Sequence, residues 1–349
     1  MTLEDLRSID RSGMYELLRT FPGQAREAVA IGAASRIRIN PRPITSIVLT
    51  GLGGSAIGGD LLRSYLAGEL RVPFLVNRHY RLPHFVGPRT LVIVSSYSGN
   101  TEETIAAHRE ALRRKAKILC ITSGGATLRM ARHSKSPCVV IPPGRPPRTA
   151  LAYSFFPLLE ILTRSGFAHS KEAEVRETIA LLERLAGVYA NPDETANRAM
   201  SLAALLRGEL GVVYSSTEHF DAVGTRWRGQ ISENAKALFF GNVLPEMNHN
   251  ELVGWRVLTR LMSEMRVFLL RDRGDHRRVQ MRMEITKEIL SACCPHVTEV
   301  WSEGKSLLAR MFSLICLGDW VSYYLAILHG VDPTPVEVIT RLKEELARQ

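Results

Sequence analysis

Cysteine is scarce in this chain: there are five in 349 residues, Cys120, Cys138, Cys293, Cys294 and Cys316, odd in number and without C-x-x-C spacing. Neither a disulfide framework nor a zinc ribbon is indicated, and a reducing cytoplasm is the expected compartment. A P-loop, an H-E-x-x-H pair and any clustering of the histidines are also missing, so no metal is expected. The vicinal Cys293-Cys294 reads as two small buried thiols at a helix end rather than a soft-metal site. The first residues, MTLEDLRSIDR, alternate acids and bases where a secretory signal needs an apolar core. The longest apolar stretch, residues 306–328, carries Arg310 and Asp319, which would be costly in lipid, so it reads as a buried helix and no membrane partner is expected.

Composition excludes more. With 45% hydrophobic and 23% charged residues, 26 Gly and 17 Pro, the chain is neither disordered, collagen-like nor coiled coil, and its length suits two domains. Lys and Arg exceed Asp and Glu by 45 to 35, an excess that attracts anions. The densest basic cluster, residues 271–278 (Arg-Asp-Arg-Gly-Asp-His-Arg-Arg), is interleaved with acids. It reads as a solvated loop and helix start, not as a stripe for nucleic acid, and no nucleic-acid partner is expected.

Residues 46–50, 73–76, 90–95, 117–122 and 137–141 are continuous apolar runs of strand length, as found in strands covered on both faces. Helix-like stretches at 56–67, 102–114 and 126–131 separate them, which predicts a doubly wound α/β domain. A Pro-rich loop, 141–148, closes it, a helical pattern follows to about residue 207, and strand patterns return at 210–216, 266–270 and 296–301. The expected organisation is an N-terminal helical segment 1–34, a first domain 35–150, a helical connection 151–207 and a second domain 208–349 with C-terminal helices; no short-period repeat is present.

Two loops carry the chemistry. Thr50-Gly-Leu-Gly-Gly-Ser-Ala-Ile-Gly-Gly59 follows a strand and opens a helix, so backbone N–H groups are available to a phosphate. It satisfies the dinucleotide fingerprint loosely, but the next strand ends in Asn77-Arg78 with no acid for the ribose, leaving only an NADP reading in which Arg78 meets a 2′-phosphate. The second loop, Ser96-Tyr-Ser-Gly-Asn-Thr101, again lies between strand and helix and offers the hydroxyls of Ser96, Ser98 and Thr101 to an oxyanion. Two such loops at the carboxyl ends of strands in one sheet mark the crevice where open α/β sheets bind ligands.

With these loops, Pro147-Arg-Thr-Ala-Leu-Ala-Tyr153, Trp227-Arg-Gly-Gln-Ile-Ser-Glu-Asn-Ala-Lys236, Pro245-Glu-Met-Asn-His-Asn250 and Val331-Asp-Pro-Thr-Pro-Val336 followed by Leu342-Lys343, the sequence resembles the SIS-domain sugar isomerases, and within them the bifunctional phosphoglucose/phosphomannose isomerases. The resemblance implies two SIS-type doubly wound domains and a cofactor-free aldose–ketose isomerase. It would interconvert glucose 6-phosphate, and mannose 6-phosphate, with fructose 6-phosphate through a cis-enediol. By the same resemblance Gly53, Gly54, Ser55, Ser96, Ser98 and Thr101 hold the phosphate of the hexose, and Glu233 is the base. Arg148 stabilises the enediolate, and Lys343 assists ring opening. His249, also a ring-opening group, is supplied across a homodimer interface, and Thr334 leaves room for either C2 epimer.

The residues taken alone read more plainly. Glu233 with Lys236 at i+3 is an ordinary surface ion pair, Arg148 a surface arginine with a snorkelling stem, His249 a polar loop residue and Lys343 part of an exposed terminal helix. The buried-looking Trp227 and Asn234 tilt Glu233 toward function. A base near working pH with a cation beside the developing oxyanion is what proton abstraction next to a carbonyl requires. The rival readings are a non-enzymatic sugar-phosphate regulator, which has no helix-turn-helix before the first loop to support it, and an amino-sugar synthase, which needs a cysteine nucleophile well before Cys120.

Overall fold

The structure is a computed structural model that describes residues 3–192 and 197–348. Two compact units divide the chain: residues 21–180 with 306–308, and residues 1–20, 181–305 and 309–349. Helices α1 (Leu3–Ile9) and α2 (Met14–Arg19) belong to the latter unit. There Asp10 caps α2 by accepting from the N–H groups of Met14 and Tyr15, both at 2.8 Å. The Tyr15 ring meets Trp320 edge-on with centroids 5.5 Å apart. Helix α3 (Phe21–Ala34), expected with α1 and α2 in one segment, packs in the former unit, so the N-terminal stretch 1–34 is shared between the two.

In the unit of residues 21–180, β1 (Ser46–Thr50), α4 (Gly53–Leu66), β2 (Phe74–Asn77), β3 (Thr90–Ser95), α5 (Glu102–Arg113), β4 (Lys117–Thr122), α6 (Gly125–His133) and β5 (Cys138–Val140) alternate. Helix α7 (Leu151–Arg164) and the first half of α8 (Glu172–Tyr189) complete it. The sheet is parallel throughout, in the order β2-β1-β3-β4-β5. Every residue of β1 and β3 is buried, as continuous apolar runs predict for strands with helices on both faces. Each valine, leucine or isoleucine among them, removed from water, contributes about 1.5–3 kcal/mol. Strand order reverses between β1 and β3, so the loops that follow these two strands border the crevice of the sheet.

The other unit adds α9 (Arg198–Leu206), β6 (Leu210–Ser216), α10 (Asp221–Ala235), β7 (Phe239–Leu244), α11 (Thr259–Ser263), β8 (Met265–Arg271), α12 (Arg277–Ser291), β9 (Val297–Trp301), α13 (Leu307–Leu328) and α14 (Glu337–Ala347). Its sheet is again parallel, ordered β7-β6-β8-β9. Strand β7, Phe-Phe-Gly-Asn-Val-Leu, has no counterpart in the sequence-based expectation. It is an edge strand with Phe240 half-exposed, and its internal Gly241-Asn242 breaks the apolar run.

Helix α13 is long and apolar enough to cross a membrane, yet 94% of its most apolar window is buried in the fold. Its two charges are paired within the protein. Asp319 accepts from the Arg226 guanidinium of α10 at 2.7 and 3.0 Å, and Arg310 donates to Asp272 at 2.8 Å. Burial outweighs the arginine and raises the Asp319 pKa.

The 271–278 cluster is the loop and helix start expected from its composition, with Arg273, Gly274, His276, Arg277 and Arg278 exposed and α12 beginning at Arg277, but it is not solvated throughout. Arg271, Asp272 and Asp275 are buried, because this turn follows central strand β8 and is enclosed by Arg310, Ser302 and Ser216. The vicinal thiols differ from each other: Cys294 is buried and Cys293 half-buried.

Candidate functional site

The loop after β1 turns through Gly51, where a Cβ would stand 2.7 Å from the Ser95 carbonyl, and through Gly53, whose φ of +52° favours glycine. A Cβ on Gly54 would overlap the Pro147 carbonyl, so this glycine lets the loop close against the turn that carries Arg148. The Ser55 hydroxyl is buried at the start of α4 and accepts from the Tyr97 N–H at 3.0 Å, which ties the first loop to the second.

In the second loop Ser96 is buried. Its hydroxyl accepts from the Gly99 N–H and pairs with Thr101, both at 3.1 Å. Gly99 has φ +72°, and a Cβ there would overlap the Gly124 carbonyl. Ser98 is exposed, Thr101 half-buried, and the first turn of α5 presents N–H groups without acceptors in their own helix. Ser55, Ser96 and Thr101 thus shape the loops, while Gly53 and Ser98 are exposed beside the helix N-termini, an arrangement suited to an oxyanion.

Arg148 is buried, with 4% of its surface exposed, against the surface reading of its sequence neighbourhood. The reason is a clip from α3: the Gln24 side chain donates to the Thr149 carbonyl at 2.9 Å and accepts from the Ala152 N–H at 3.1 Å, fixing the 3-10 turn Pro147–Thr149. Nothing in the sequence singles out Gln24. Arg78, the residue offered for a 2′-phosphate, is paired with Asp60 of α4, which removes the support for an NADP site.

In the unit of the second sheet, α10 buries Arg226, Trp227, Gln230, Ile231 and Asn234 along one face at helical spacing. Trp227 donates from its ring nitrogen to the Leu314 carbonyl at 2.8 Å and Asn234 from its amide to Ser322 at 2.9 Å. These two residues therefore hold the helix to α13. Glu233, half-buried on the next face, lines a cleft of about 640 Å³ together with Lys236, Val331, Asp332, Pro335 and Val336, a size that suits a small ligand.

Lys236 ends the helix in the left-handed conformation, φ +55°, and its ammonium donates to the Glu233 carbonyl at 2.6 Å and the Pro333 carbonyl at 3.1 Å. Thr334 lies in the same 331–336 loop, where its N–H donates to Asp332 at 3.0 Å. His249 ends the 3-10 turn Glu246–His249 and is exposed, and Lys343 is exposed on α14. Neither is among the residues lining the Glu233 cleft. Among the described residues no group of three or more His, Cys, Asp or Glu side chains is arranged to hold a metal.

Two family models match the chain: the SIS domain over residues 42–142, and the bacterial phospho-glucose isomerase C-terminal SIS domain over residues 195–346. A protein of Caldicellulosiruptor bescii named bifunctional phosphoglucose/phosphomannose isomerase is 41% identical over 96% of this chain and 99% of its own. A protein of the same name from Aquifex aeolicus is 38% identical over 88% of this chain and 92% of its own. A crystal structure of a hypothetical protein from Thermus thermophilus superposes with a TM-score of 0.76 at 17% identity, covering 96% of this chain and 90% of the other, a likeness of fold.

Proposed function

The chain belongs to the bifunctional phosphoglucose/phosphomannose isomerase family, and from that premise we propose that it interconverts glucose 6-phosphate and mannose 6-phosphate with fructose 6-phosphate. It is a sugar-phosphate isomerase, and the reaction from ketose to aldose needs one proton moved from C1 to C2 and another from O1 to O2. A base takes the proton from C1 of the open-chain ketose, the cis-enediol forms, and return of a proton to C2 from one face or the other gives either aldose. Glu233 is the base in this reading. The observation that carries it is the position of Glu233 at the cleft of about 640 Å³, on a helix locked by the buried Arg226–Asp319 pair, since a general base must be held in place before it is useful.

Gly53, Gly54, Ser55, Ser96, Ser98 and Thr101 are assigned to the substrate phosphate. Their support is the pair of helix N-termini at the reversal point of the first sheet. Arg148 is assigned to the enediolate, its burial giving a charge that water screens weakly. Lys343 and His249 are assigned to ring opening, with His249 contributed by a second copy of the chain in a homodimer, a role that suits an exposed residue at the tip of a turn. Thr334 is assigned to the pocket for the C2 substituent. No cofactor or metal takes part in this scheme. A reducing cytoplasm suits the five free cysteines.

The test is an NMR time course of fructose 6-phosphate in heavy water with EDTA-treated protein beside Glu233→Gln. Both aldoses should appear, deuterated at C2. The variant should lose on the order of a thousandfold in rate, the middle of the range for a general base. Full activity in Glu233→Gln sinks the assignment, glucose 6-phosphate alone narrows the activity to one epimer, and binding without turnover favours a regulator.

A further inference from the structure

Lys236 follows Glu233 by three residues, where spacing alone suggests an ion pair at the surface. The structure gives its ammonium two backbone carbonyls: that of Glu233 and that of Pro333, 97 residues away in sequence. The first is an end-of-helix carbonyl of α10, a usual target for a lysine at a helix C-terminus. The second belongs to the loop that carries Thr334. One cation thus joins the backbone of the assigned base to the segment assigned to the C2 substituent, along the wall of the cleft that both Glu233 and Lys236 line.

The same loop is anchored at a second point. Asp332 accepts from the Thr334 N–H at 3.0 Å through one carboxylate oxygen and from the Ser12 hydroxyl at 2.9 Å through the other. The helix end is fixed independently by Asn234 to Ser322 at 2.9 Å and by the His329 ring to the Ala235 carbonyl at 3.1 Å. Helix and loop are therefore each held in their own right. Lys236, which lines the cleft, has a hydrogen bond to each of them.

We infer that Lys236 is a positioning residue that sets the separation of Glu233 from Thr334, and through it both the rate of proton transfer and the partition of the enediol between the two C2 epimers. This rests on the assignments of Glu233 and Thr334 above. A change in that separation moves the base relative to C1 and C2 while leaving the phosphate loops untouched, so kcat and the epimer ratio respond and KM does not.

The experiment compares wild type, Lys236→Met, Lys236→Arg and Lys236→Gly, with Glu233→Gln as reference, by the fructose 6-phosphate NMR assay and by amide hydrogen exchange of residues 331–336. Lys236→Met should lower kcat about tenfold, short of the roughly hundredfold that a 1 Å misplacement costs. It should leave KM within about twofold, shift the mannose-to-glucose product ratio about threefold and speed exchange in 331–336, all order-of-magnitude expectations for lost positioning. Lys236→Arg should recover most of each change. Lys236→Gly suits the left-handed backbone at this position, so the loss of the clamp can be read in it even where Lys236→Met folds poorly. Unchanged exchange and an unchanged product ratio in folded Met and Gly variants overturn the inference while Glu233→Gln stays inactive. Activity persisting in Glu233→Gln overturns the assignment of the base instead, and the exchange data still decide whether the clamp exists.

Discussion

Strands β1 and β3 of the first sheet stand to one another as β6 and β8 of the second: each pair flanks the point at which strand order reverses. The loops that follow them have opposite chemistry. Beyond β1 and β3 lie glycines and hydroxyls, with no carboxylate before Asp60 after the first strand and none before Glu102 after the second. Beyond β6 and β8 the buried Asp272 and Asp275 come together with Ser216, Ser302 and Arg310. A phosphate would meet donors at the first crevice and carboxylates at the second. Topology provides a crevice in both sheets, and the side chains decide that one of them suits an anion while the other is closed by its own ion pairs.

Glycine substitutions test this contrast most severely. Gly99→Ala forces a Cβ into the Gly124 carbonyl at a left-handed position and should raise KM for fructose 6-phosphate on the order of a hundredfold, as the loss of several phosphate hydrogen bonds implies. Gly274→Ala meets side chains instead, Arg310 at 2.6 Å and Asp272 at 2.7 Å. It should lower Tm and leave KM unchanged. Steady-state kinetics on the pair checks this, and equal effects on KM would break the comparison.

Arg310→Met comes next in size. It leaves the buried Asp272 carboxylate without its cation and should cost about 3 kcal/mol of stability in a urea titration, with the substrate constants of the surviving folded protein unaltered.

The smallest effect concerns Asp275, whose carboxyl burial pushes up from 3.8 to about 6 against the opposing hydrogen bond from Ser216. The folded state then binds the proton more tightly than the unfolded chain. This group's contribution to stability is fully present below about pH 4, falls as pH rises to about 6 and is level above that. Asp275→Asn still accepts from Ser216 and carries no charge. It should flatten the profile across that window and raise stability at pH 7 by at most about 3 kcal/mol, as thermal melts from pH 4 to 8 will show.

Much of the first sheet was legible in the sequence because its central strands are buried on both faces, leaving apolar runs too regular to miss. Strand β7 was not, since an edge strand needs only one covered side and tolerates Gly241 and Asn242. The two loops proposed for the phosphate stood out through glycines that close approach requires, whereas Glu233, the proposed base, emerged only through its motif: as i, i+3 spacing, Glu233 and Lys236 are unremarkable. Arg148 looked like a surface residue because its burial depends on Gln24, more than a hundred positions earlier. The bond from Lys236 to the Pro333 carbonyl was hidden for the same reason, as its partner lies 97 residues away. The Asp332-Pro-Thr334 turn carries a local signal, since an aspartate that accepts from the N–H two residues on is a common turn device.

The division of the chain also has a temporal side. Residues 21–180 are one nearly continuous piece and can collapse as soon as they leave the ribosome. Residues 1–20 are made before that piece but have their partners well after it: Tyr15 must wait for Trp320 and Tyr323, and Ser12 for Asp332. Until α13 is synthesised, Tyr15 lacks these ring partners, so the packing of the opening helices is completed only once that distant helix exists.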